Sequence, residues 1–92
     1  MVPCKYNDHG VTRIFDLRTA VRIAKGTSVT HPGWSATIVY DPSSKTLIEL
    51  SSGPQDVRGN GPDAADRVDV EYVLGNFGVS EQDLLRLTSQ RT

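Results

Sequence analysis

The chain has a single cysteine, Cys4, so no disulfide can form within it, and its 92 residues must be held by packing alone. A reducing compartment is the expectation. No hydrophobic run approaches the roughly 20 residues of a membrane span, and the opening MVPCKYNDHG lacks the apolar region of a secretory signal. The chain therefore reads as a full-length cytoplasmic protein with no membrane partner. Hydrophobic residues make up 37% of it, enough for one core but too few for a deep, enclosed cofactor cavity. No Walker lysine follows any glycine loop, and Gly59-Asn60-Gly61-Pro62-Asp63-Ala64 matches GxGxxA without the strand and crossover a dinucleotide site requires. Cys4, His9 and His31 include no close-spaced pair of the zinc-site kind. No cofactor and no metal are expected.

Charge is close to balanced, with a formal net of −1, which argues against a general nucleic-acid binder. Its distribution is uneven. Residues 1–30 hold five cations (Lys5, Arg13, Arg18, Arg22, Lys25) against Asp8 and Asp16. Residues 62–92 hold six acids (Asp63, Asp66, Asp69, Glu71, Glu81, Asp83) against three arginines. Such polarity suits a domain with two different contact faces, or one whose halves neutralise each other.

Along the chain, VPCKY and VTRIF flank the turn NDHG and read as two short strands. Asp16 then caps an expected helix, LRTAVRIAKG, closed by Gly26. At 3.6 residues per turn, Leu17, Ala20, Val21 and Ala24 share one side, and Arg18, Arg22 and Lys25 another. After the Pro-Gly connection TSVTHPGW, the alternation in SATIVY and TLIEL predicts a hairpin around DPSSK. SSGPQDVRGNGP, at 51–62, reads as a flexible Gly/Pro-rich loop. DAADRVDVEYVLGNFG carries both periods. Pro62, the early aspartates and Gly78 favour helix, with an added strand as the alternative. Ser80 caps a last helix whose Leu84, Leu85 and Leu87 face inward. The expected fold is a single α+β domain over 1–92. It has a small antiparallel sheet of two hairpins and helices on one face, in the order ββαββαα.

LGNFGVSEQDLLRL has the apolar spacing of a helix-turn-helix about Gly78: Leu74, Phe77, Val79, Leu84 and Leu87. Any two sharply packed helices need those positions buried. The second helix would offer Ser80, Glu81, Gln82 and Asp83 where phosphates and bases are met, so a structural helical hairpin is the better reading. Cys4 beside Asp8 and His9 is a weak thiol–imidazole candidate, because two strand ends and a turn do not fix that geometry. No catalytic residue is assigned.

What remains is binding. Arg18, Arg22 and Lys25, extended by Arg13, could dock an acidic protein face; Asp69 and Glu71 are the acids that helix-dipole chemistry leaves unexplained; Trp34 is either an anchor or a cover for the sheet. The expectation is a non-catalytic protein-binding or regulatory module of the inhibitor or accessory type, monomeric or homodimeric. It would hold a partner of complementary charge through a charged helix face and loops. Nucleic-acid binding, by the basic stripe or the C-terminal helix pair, ranks second.

Overall fold

His9 and Gly10 reverse the chain with positive φ, 51° and 92°, the left-handed pair that a two-residue hairpin loop requires. They join β1 (Pro3–Asp8) to β2 (Val11–Asp16), antiparallel, with Tyr6 opposite Arg13 and Cys4 opposite Phe15. The computed structural model describes residues 2–53 and 63–89. The expected loop at 51–62 lies mostly outside them, and Ser51 and Ser52 belong to a strand.

The expected first helix does not form. Residues Val21–Thr27 are strand β3, reached through a turn in which the Thr19 N–H bonds the Asp16 carbonyl at 3.2 Å. Asp16 caps no helix; its Oδ1 accepts the N–H groups of Val2 and Arg18, both at 3.0 Å. The reason lies in competing periods. Val21, Ile23 and Thr27 are β-branched and favour extended backbone, and a neighbouring strand gives every second residue a partner. Arg22 pairs with Val39 and Ala24 with Ile38, leaving Ile23 as a bulge.

β4 (Ser35–Asp41) and β5 (Thr46–Ser52) form where the alternation places them, in unbroken register from Ser35↔Ser52 to Asp41↔Thr46. The ambiguous segment divides instead of choosing. Ala64–Val68 is β6, Asp69 stays extended, and Val70–Asn76 is the short helix α1. α2 (Glu81–Thr88) follows, capped by the Ser80 Oγ, which accepts the Asp83 N–H at 3.1 Å.

The strands make one sheet in the order β2-β1-β6-β5-β4-β3. All neighbours are antiparallel except β1 and β6, which run parallel and meet at Asn7↔Asp66. Among the described residues a mixed six-stranded sheet with two short helices thus replaces the two-hairpin ββαββαα arrangement. β2 and β3 are opposite edges, yet only residues 17–20 join them. Five strand spacings in a flat sheet would separate them by about 24 Å. The backbone from Asp16 to Val21 reaches at most about 18 Å, and the turn shortens it. The sheet must curl.

Curling gives it two unlike faces. The inner one buries Tyr6, Phe15, Val39 and Ile48, with the Tyr6 and Phe15 rings edge to face at 5.7 Å. The outer one buries Ile38 and Leu47 under Val73 of α1 and Leu84 of α2, with Tyr72, Leu74, Phe77 and Val79 packed around them. Gly26 lets α1 approach: a Cβ there would sit 3.3 Å from the Phe77 ring.

Candidate functional site

α2 packs against β3, and a groove of about 320 Å³ opens between α2, the β4–β5 turn and the β6–α1 junction. Leu47 and Leu84 form its buried floor. Val70 and Leu85 stand on its walls, 49% and 63% exposed. The cap at Ser80 fixes the helical phase, and Leu85, one residue past the inward Leu84, is rotated about 100° out of the core. Its expected burial is therefore corrected. Lys45 and Arg67 lie on the rim with Asp69 and Glu81, so both signs of charge edge an apolar floor. Lys45 sits in the turn with φ 57°, a conformation a β-branched residue would hold only under strain.

Arg67 is also committed inward. Its Nη1 donates to Asp8 Oδ1 at 3.1 Å, and Arg13 Nε donates to Oδ2 at 2.7 Å. Burial pushes the Asp8 carboxyl up, but the two guanidiniums outweigh it and hold the group below its ordinary value. What this contact contributes to stability is present above the ordinary carboxylate range and is lost as pH falls through the lowered value.

A second constellation lies under α1. Glu49 is 3% exposed and has no cation beside it among the described residues. Its Oε1 accepts the Tyr72 hydroxyl, and its Oε2 accepts Ser51 Oγ at 3.0 Å and Ser28 Oγ at 3.4 Å. Three hydroxyls replace the water a buried carboxylate loses. Asp66, directly opposite on β6, is held by Asn7 Nδ2 at 3.3 Å. The arrangement ties α1 and the 28–34 loop to the middle of the sheet. It is a buried clamp.

Burial, then the hydrogen bond and charge of Glu49, push the Tyr72 phenol from 10.0 to about 12. The neutral phenol is the favoured form in the folded chain. The stability it contributes is therefore complete below pH 10 and declines as pH rises toward 12. Alkaline titration of phenolate absorbance should show a step near pH 12 that Tyr72→Phe removes and Glu49→Gln moves down. A Tyr72 step at the ordinary value would mean the contact does not form in solution.

The residues singled out from the sequence do not assemble into one surface. Arg18 is exposed in the turn after β2, and Arg22 and Lys25 lie on edge strand β3, opposite Val39 and Thr37. Without the helix the three do not form a helical ridge; Arg22 and Lys25 lie opposite residues of one face of β4, and none of the three makes an ion pair among the described residues. Arg13 shares the Asp8 carboxylate with Arg67. Trp34 is half-buried, stacked on His31 at 4.3 Å, and its ring lies 3.2 Å from where a Cβ on Gly53 would stand. It packs on its own loop and on the end of β5. Asp69 precedes α1 without a capping bond and reaches the groove; Glu71 is exposed on α1 outside it.

Cys4 and His9 are at opposite ends of β1. Burial raises the Cys4 pKa, against the demands of a nucleophile. Among the described residues no three His, Cys, Asp or Glu side chains converge on a metal position. No described helix is long and apolar enough to cross a membrane. Of the residues around Gly78 that fit a helix-turn-helix, Leu74, Phe77, Val79 and Leu84 pack on the outer sheet face.

Glu49 and the groove escaped sequence reasoning. Glu49 left one signal, an acid on the same alternating face as Leu47 in TLIEL. The groove left none, since its walls come from three separate segments. Comparison of the chain with known protein families, with curated proteins and with solved structures gave no match.

Proposed function

We propose that the chain is a non-catalytic protein-binding module whose groove between α2 and the β4–β5 turn receives a short partner segment. The observation that carries this reading is the pair of outward apolar side chains, Val70 and Leu85, flanking a concave apolar floor. Apolar concavities with a few polar groups at their margin are the usual form of a binding site. The segment that fits carries one or two large apolar residues, an acidic residue toward Lys45 and Arg67, and a basic one toward Asp69 and Glu81. The charged helix face expected from the sequence has no part in this.

Panning a displayed random-peptide library against the protein tests it. An enriched apolar motif with flanking charges is expected, and Leu85→Glu should weaken its binding at least about tenfold. Because Leu85 is outside the core, thermal stability should change little. Enrichment that ignores both Leu85→Glu and Val70→Asp would remove the groove from the mechanism.

Nucleic acid along the β3 edge is supported only by Arg18, Arg22 and Lys25. Three phosphate contacts give weak binding with a logarithmic salt slope of about −3. An Arg22→Glu/Lys25→Glu variant titrated with single and double strands at low salt decides that reading.

A further inference from the structure

The two edges of the sheet are not equally guarded. β3 carries the devices that discourage strand addition: the bulge at Ile23 and the exposed cations Arg22 and Lys25. β2 has neither a bulge nor a proline, and its one cation, Arg13, is drawn to Asp8. Val11 and Ile14 are 53% and 57% exposed on it, and Leu17, just past its end, is also exposed.

The free backbone groups of β2 can be assigned. In the two-residue hairpin the flanking pair Asp8–Val11 is hydrogen-bonded, and alternation gives Arg13, Phe15 and then Leu17 the same role. The Leu17 N–H bond to the Val2 carbonyl, 2.9 Å, fits that phase. Thr12, Ile14 and Asp16 therefore turn their N–H and C=O groups away from β1, with the Asp16 carbonyl taken up by Thr19.

We propose that β2 pairs antiparallel with β2 of a second copy of this chain, about a twofold axis through Ile14. In that register Ile14 faces the partner's Ile14, and Val11 faces the partner's Leu17 on the other side of the ribbon. Thr12 faces the partner's Asp16. All three exposed apolar side chains of the edge are covered by their symmetry mates. Shifting the axis to Arg13 would set two arginines opposite each other, a destabilising like-charge pair. The isologous pairing closes on itself, and the guarded β3 edge keeps it from growing into a filament. The contact is independent of the groove.

Sedimentation across about 1 μM to 1 mM should show a monomer–dimer equilibrium, as a small edge interface gives. Ile14→Lys brings two ammonium groups together at the axis and should raise the dimer dissociation constant at least about tenfold. Register is read separately by mild oxidation in a Cys4→Ala background. Ile14→Cys should cross-link efficiently, because directly opposed residues come within disulfide reach. Thr12→Cys should not, since its mate lies four residues along the partner strand. A monomer throughout the range, a dimer indifferent to Ile14→Lys, or cross-linking through Thr12→Cys in preference to Ile14→Cys would each overturn the proposal.

Discussion

Glu49→Ala should lower the folding free energy by about 3–4 kcal/mol in urea denaturation at neutral pH. The substitution removes the acceptor for Tyr72, Ser51 and Ser28 together, and all three hydroxyls then face a dry, partly collapsed site. Hydrogen bonds to a charged group are each worth about 1.5–3 kcal/mol, but the three share one carboxylate and do not add. A domain of this size has about 5–9 kcal/mol in all, so the loss would leave it marginal. Glu49→Gln keeps the shape and one acceptor oxygen, and should cost only about 1–2 kcal/mol. A loss below about 1 kcal/mol for Glu49→Ala would show that the hydroxyls find water instead, and that the clamp is not closed in solution.

The second large effect separates the two faces of the sheet. Ile38 and Ile48 are both fully buried, one beneath the helices and one inside the curl. Either change to alanine should cost about 3–4 kcal/mol, the transfer term plus the cavity left behind. Their consequences should differ in place. Ile38→Ala withdraws support from Val73 and Leu84, so amide exchange in α1 and α2 should accelerate beyond the global change, and peptide capture by the groove should weaken. Ile48→Ala loosens the packing of Tyr6, Phe15 and Val39 and should leave the helices protected up to the new global limit. Identical exchange patterns in the two variants would mean that the faces do not form separate layers.

Several local features were legible because they depend on neighbours in sequence. The NDHG turn, the β4–β5 hairpin and the Ser80 cap all arise from residues within a few positions of one another. Leu84 sits inward, as the helical period predicts. Leu85 was assigned to the same inward face, but one helix packed on a sheet can bury only a narrow stripe.

The first helix failed for a different reason. LRTAVRIAKG offers an apolar stripe at 3.6 and a β-branched alternation at 2, and nothing local ranks them. The backbone partner that settles the matter is β4, beyond the window of any helical turn, and its row of hydrogen-bonding groups converts Val21–Thr27 to a strand. With the helix went the cationic ridge that a partner surface was expected to meet.

The hairpin turns, the Ser80 cap, the lack of any internal disulfide and the short runs that alternate across a pleat are all properties of neighbouring residues. Tertiary structure alone decided that β6 would slip between β1 and β5, that the sheet would curl, and that Val70 and Leu85 would flank one groove while Glu49 was sealed beneath α1. The physical reason is reach. Caps and turns are satisfied within a few residues, whereas strand order, burial and the faces of a curled sheet are set by contacts across the whole chain, where many arrangements share the same local preferences.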